Sequence, residues 1–163
     1  MDIELINPFI LASFSVLEML LNAAPTKGAL SVRKNGITSE QVNVVCGVTG
    51  DARGQVIFGM SLTTADRIAS TMIGAPVVTF DSLAASAIAE LGNMISGNAM
   101  LHLSEAKFIC DITPPAVIRG TNVEISTLAI PSIVIPLNTP EGEIFIAVGL
   151  QRNNKGAEVA KAA

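Results

Sequence analysis

The sequence predicts an α+β domain, with three helices packed on a largely antiparallel β-sheet of about six strands. Helical apolar periodicity marks three segments, and short β-branched runs bounded by Gly, Asn and Pro fill most of the remainder. Their order is helix, three strands, two helices, then three or so strands, an arrangement that places helices on a sheet.

The first helix is expected to begin near Pro8, capped by Asn7 or its predecessors, and to run to about Ala24 before Pro25 stops it. Phe9, Ile10, Phe14, Val16, Leu17, Leu20 and Leu21 form its core stripe, while Leu11 and Met19 fall outside it. Strands follow over Ala29–Lys34, Val42–Val48 and Gln55–Met60, the last two joined by a turn over Thr49–Gly54. Thr63 or Thr64 is placed to cap a short helix through Ala65, Ile68, Ala69 and Met72, closed by Gly74 and Pro76. A longer helix starts at Asp81 or Ser82 and continues to about Ala106. Strands are then expected at Phe108–Ile112, Val117–Arg119, Val123–Ile130, Ile133–Leu137 and Ile144–Leu150, with Pro114-Pro115 as a break. No internal repeat is obvious.

At 163 residues the chain fits one domain, assigned to 1–152, and the polar, Ala-rich stretch 153–163 is expected to be a disordered tail. Half the residues are hydrophobic but only six are aromatic, all Phe, so the core must come from Ile, Val, Leu, Met and Ala. Pro8 to Ala24 is too short for a membrane span and contains Glu18. Asp2 and Glu4 stand where a secretory leader carries basic residues, so cytoplasmic residence is expected. A net charge of −4 without clustered Lys or Arg argues against nucleic acid. Cys46 and Cys110 sit in apolar surroundings and suit reduced core thiols, and His102 has no ligand cluster around it for zinc. Arg53, Arg67 and Arg119 are scattered, and no nucleophile or acid/base constellation suggests a small-molecule hydrolase.

The third helix carries the candidate chemistry. At about 100° per residue, Ala84, Ala87, Ile88, Leu91, Ile95 and Ala99 gather on a core side. Ala85, Ala89, Gly92 and Ser96 form an adjoining strip of small residues suited to close packing, which accounts for a glycine that otherwise costs about 1 kcal/mol in a helix. Glu90 and Asn93, three positions apart, stand opposite the core and are expected to be solvent-exposed, flanked by Ser86 and Gly97. By spacing alone such a pair is commonly no more than a solvated face.

The words around that pair are more specific. Ser86-Ala87-Ile88-Ala89-Glu90-Leu91-Gly92-Asn93-Met94-Ile95-Ser96-Gly97 resembles the E-x-x-N helix of the CheC, CheX and FliY phosphatases, and Glu90-Leu91-Gly92-Asn93-Met94 is similar to the CheX version. The resemblance takes in Asp111-Ile112-Thr113-Pro114-Pro115, the hairpin around Gly50 and Gly54, and the first helix, so it reaches to about Arg152. It implies a CheC/CheX-like fold and hydrolysis of the aspartyl phosphate of a phosphorylated CheY-like response regulator. Asn93 would orient the attacking water, and Glu90 would anchor the regulator's lysine. Since an acyl phosphate is already activated, positioning is most of the work, and a neutral amide suffices for it. The chain would need no cofactor of its own, with Mg2+ expected in the partner regulator.

CheC-type relatives carry two such helices, whereas here Glu18 is followed at the third position by Leu21, and Asn22 comes one residue late. One site per subunit is expected, and the resemblance implies a homodimer joined at its sheet edges. Asn98 stands where some CheX sequences have a lysine, and its place toward the buried side suggests a structural, hydrogen-bonded amide. The alternative function is a non-catalytic adaptor that binds a response regulator or motor-switch component through the same surface. Intact Glu90 and Asn93 favour the phosphatase.

Overall fold

The computed structural model describes residues 2–154 except 36, 39, 127 and 128. Its elements run α1 (Ile3–Leu21), β1 (Thr26–Lys27), β2 (Ser31–Arg33), β3 (Ile37–Thr38), β4 (Val42–Gly50), β5 (Ala52–Met60), α2 (Leu62–Ile73) and α3 (Ser82–Glu105). Then come β6 (Cys110–Ile112), β7 (Ala116–Arg119), β8 (Glu124–Ile125), β9 (Ser132–Thr139) and β10 (Gly142–Arg152). The α+β class holds, with three helices on an antiparallel sheet. That sheet has eight strands rather than six, in the order β1-β9-β10-β5-β4-β6, with β2 also on β9 and β7 also on β4. β3 and β8 form a separate pair.

The pairing discloses an internal two-fold repeat that the sequence hides. α1-β1-β2-β3-β4-β5 and α3-β6-β7-β8-β9-β10 follow the same order, and α2 lies between them. β4 takes β6 and β7 as neighbours, as β9 takes β1 and β2, and the halves meet where β5 pairs with β10. Even the irregularities correspond. Val45 pairs with Ala116 and Thr113 bonds to Gly47, so Pro114 and Pro115 face Cys46 alone. In the other half Ser31 pairs with Val134 and Gly28 bonds to Pro136, so Ala29 and Leu30 face Ile135 alone. Each is a bulge of two residues against one, and proline, with no N–H to give, suits that place.

Helix α1 starts earlier than Pro8 suggests. Asp2 is its cap, its Oδ1 accepting from the Glu4 N–H at 3.1 Å, and Pro8 lies inside. Burial of Leu5 and Ile6 outweighs the backbone bond that Pro8 cannot donate. At 19 residues α1 is long and apolar enough to cross a membrane, but Leu5, Phe9 and Leu17 are fully buried, as befits a core helix. Leu11 and Met19 are exposed. Asn22, at the C-cap, adopts φ 54° and has left the helix, so it cannot pair with Glu18 as Asn93 can with Glu90.

Ser61, rather than Thr63 or Thr64, caps α2, its hydroxyl accepting from the Thr64 N–H at 3.1 Å, and Gly74 closes the helix at φ 77°. The expected turn over Thr49–Gly54 is mostly strand, because these residues pair outward: Thr49 and Gly50 with β6, and Ala52 to Gly54 with β10. β1 and β3 were not expected, Ala29–Lys34 contracts to β2, and of Val123–Ile130 only Glu124 and Ile125 are strand among the described residues. Asn153, assigned to the tail by sequence, is held to the sheet: its N–H donates to the Asp51 carbonyl at 2.7 Å, and its amide to the Gly50 carbonyl at 3.1 Å. From residue 155 on, the expected disorder lies outside the described residues.

The main core lies between the helices and the sheet, with Phe9, Phe58, Ile88, Leu91, Ile95 and Ile135 all essentially inaccessible to solvent. A smaller cluster around Ile57 and Ala147 occupies the opposite face. Cys46 is buried and Cys110 half-buried, and both thiols are free. Burial pushes the Cys46 thiol up, which keeps it protonated and inert.

Candidate functional site

Helix α3 is fixed at both ends. The Asp81 Oδ1 accepts from the Ala84 N–H at 2.9 Å at its start. Lys107, with φ 69°, ends it in a Schellman turn, in which the Phe108 N–H reaches the Leu103 carbonyl at 2.9 Å. Arg119 of β7 donates to the Phe80 carbonyl at 3.1 Å and lies over the Phe80 ring, tying the helix start to the sheet. Ala84, Ile88, Leu91, Ile95 and Ala99 are buried as expected, with Ala87 half-buried. In the small strip, Gly92 packs on side chains: a Cβ there would come within 2.7 Å of Val44 Cγ1 and 3.3 Å of Phe58 Cδ2. Gly92 therefore sets how closely α3 approaches β4 and β5.

Away from that contact, Glu90 and Asn93 line one open groove of about 520 Å³. Ser86 and Ala89 share its helical side, and Ile112, Thr113, Pro114 and Pro115 form the other wall. Glu90 is exposed. Asn93 departs from expectation, being half-buried, because it turns toward the proline wall. Among the described residues, neither side chain is tied up by an intramolecular hydrogen bond. A free carboxylate and a free carboxamide one turn apart can each engage a partner at no internal cost. Asn98 is exposed rather than turned to the core, but the expected hydrogen-bonded amide is there, donating to the Met94 carbonyl at 2.9 Å.

The residue pattern did not reveal the second wall. Pro114-Pro115 is a break in sequence terms, yet the bulge carries it across the groove from Glu90 and Asn93. A proline pair directly after a strand, where the ladder requires N–H donors, was the available signal. Among the described residues, no group of three or more His, Cys, Asp or Glu could hold a metal ion.

The family model described as Chemotaxis phosphatase CheX matches residues 42–138, which contain the whole of α3 and both walls of the groove. The chain belongs to the CheX family. A curated CheX relative, CheY-P phosphatase CheX of Thermotoga maritima, is 31% identical over 146 residues, covering 89% of this chain and 94% of the relative. The CheX structure from Desulfovibrio desulfuricans is 29% identical with a TM-score of 0.81, covering 92% of this chain and 99% of that one. The CheX–CheY–BeF3–Mg2+ complex from Borrelia burgdorferi is 30% identical with a TM-score of 0.78, covering 90% of this chain and 97% of that one. These CheX likenesses extend over the fold described above, and the CheC/CheX-like architecture is thereby shown.

Proposed function

We propose that this chain hydrolyses the aspartyl phosphate of a CheY-like response regulator in chemotaxis-type signalling, with Asn93 orienting the attacking water and Glu90 anchoring the regulator's lysine. The observation that carries this reading is the groove itself. It presents an uncommitted carboxamide and an uncommitted carboxylate together, in a family of chemotaxis phosphatases whose Thermotoga relative is named for action on CheY-P. The water oxygen attacks phosphorus in line and loses its proton as the bond from phosphorus to the aspartyl oxygen breaks. The products are the free regulator carboxylate and inorganic phosphate. Charge on the phosphoryl group is met by Mg2+ in the regulator, an assignment supported by the Borrelia complex, which contains Mg2+ together with CheY. This chain supplies position: Asn93 holds the water through its amide, and Glu90 fixes the register of the two proteins.

A cytoplasmic homodimer joined at sheet edges completes the proposal. It is supported by β2, whose three residues, Val32 among them, are exposed at one edge beside the exposed Leu30. Light scattering that gives a monomer mass at micromolar concentration would remove the dimer. The activity is tested by phosphate release from CheY-type regulators charged with acetyl phosphate. Acceleration by the parent protein and none by Asn93→Ala is the expected result. Binding without acceleration for every regulator would leave a non-catalytic adaptor in its place.

A further inference from the structure

Leu83 and Leu101 stand eighteen positions apart on α3, five full turns, so both leave the helix along one line and lie about 27 Å apart. They are 58% and 67% exposed. Glu90 and the half-buried Met94 fall within about 20° of that line, on opposite sides of it, and Ser86 and Gly97 raise no large side chain on the Glu90 side. Isolated exposed apolar residues are ordinary on a soluble domain. Two leucines in line with the candidate site, one on either side of it, are arranged rather than scattered. Leu83 also borders a second groove of about 390 Å³, next to Val78, which is 93% exposed.

We infer that the regulator docks lengthwise along α3, with Leu83 and Leu101 as apolar anchors on either side of Glu90 and Asn93. The inference rests on the phosphatase reading and adds the extent of the surface and its specificity-determining residues. Size supports it. A stable protein–protein contact buries about 800 Å² on each partner, far more than a few residues of one groove present. A folded regulator domain of about 120 residues is roughly 35 Å across and can span both leucines. The chemistry also fits: apolar anchors supply affinity at the ends, and the polar centre is left for the phosphorylated aspartate, its metal and the water. The occupant is thus a folded regulator with apolar surface on two sides of its phosphorylation site.

The test uses the full chain and the CheY-type regulator whose decay the parent accelerates most. Leu83→Gln and Leu101→Gln should each raise KM about threefold, and the double variant about tenfold, with kcat and thermal midpoint unchanged. A KM equal to the parent's in either single variant would overturn the lengthwise footprint, as would a fall in kcat alone. Dissociation of a homodimer in the double variant would instead assign the stripe to a second copy of the chain and also overturn the inference. Failure of the underlying reading is distinguishable, because the parent itself would then accelerate no regulator's decay.

Discussion

Thr113 and Gly47 exchange two hydrogen bonds: the Thr113 N–H donates to the Gly47 carbonyl, and the Thr113 hydroxyl accepts from the Gly47 N–H, each at 2.9 Å. A Cβ on Gly47 would lie 3.0 Å from both Oγ1 and Cγ2 of Thr113, so the clamp needs the glycine. It holds the proline wall against β4 and thereby sets the width of the groove. Thr113→Val keeps the shape and removes the acceptor. Stability should fall by about 0.5–1.5 kcal/mol. Turnover should suffer more, with kcat/KM reduced about tenfold by a wall that shifts on the scale catalytic positioning resolves. Thr113→Ser, which retains the oxygen, should recover most of the rate. Equal rates for the two variants would show that the hydroxyl does not position the wall.

Asn93→Ala should lower kcat by roughly 100-fold or more, while denaturant midpoints stay close to the parent's. Glu90→Ala should behave differently, raising KM so that much of the rate returns at high enzyme concentration. Stopped-flow decay of the phosphorylated regulator across a range of enzyme concentrations separates the two. A kcat defect of the same size in both variants would contradict the division of roles.

The two glycines of α3 should respond oppositely to alanine. Gly92→Ala gains about 1 kcal/mol of helix propensity but forces a methyl to within 2.7 Å of Val44, a stiff, fully buried side chain. Overpacking should prevail, for a net loss of about 1–2 kcal/mol in urea unfolding. Gly97 has nothing within 4 Å of its virtual Cβ, so Gly97→Ala should stabilise by about 1 kcal/mol.

Arg152 joins the end of β10 to the start of α1, pairing with Asp2 and, at 2.6 Å, with Glu4, while stacking over Phe108. The Arg152 hydrogen bond holds the Asp2 carboxyl below its ordinary value of 3.8. A carboxyl lowered on folding contributes stability above its unfolded pKa and loses that contribution as pH falls through the folded one. Asp2→Asn preserves the cap and removes the charge. Its thermal midpoint should lie about 1–3 °C below the parent's at pH 7, and the two should converge well below pH 3.8. A gap that persists at pH 2 would contradict the ion pair as its source.

What the sequence disclosed and what it withheld divide along physical lines. The face of α3 was legible because Ile88, Leu91 and Ile95 repeat at helical spacing, and its start because Asp81 is a strong cap. The start of α1 was misplaced because Pro8 is a start signal by local propensity alone, whereas burial of Leu5 and Ile6 decides the outcome. Thr49, Gly50, Ala52 and Arg53 look like a turn to their own hairpin and become strand only through neighbours more than fifty residues away. The two-fold repeat left no trace because its halves share pairing rather than residues, as Gly28 against Pro136 and Thr113 against Gly47 illustrate. Asn98 was assigned to the buried side by angle, and its bond to Met94 lets it stay in solvent.

The seam between β5 and β10 also bears on how the chain comes to be folded at all. Met60 pairs with Ile144 and Ala52 with Arg152, so strands at the middle of the sheet are separated by roughly 90 residues of intervening chain. Each half can close its own hairpin early, but the seam must wait for a large loop to close, a step whose entropy slows folding. On the ribosome the wait is longer still, since β10 emerges after every other described strand, and the face of α1 that packs on β9 and β10 stays uncovered until then. A nascent chain would carry α3 and its finished motif for some fifty residues of synthesis with an apolar face of α1 still uncovered, an interval in which chaperones would have the most to hold.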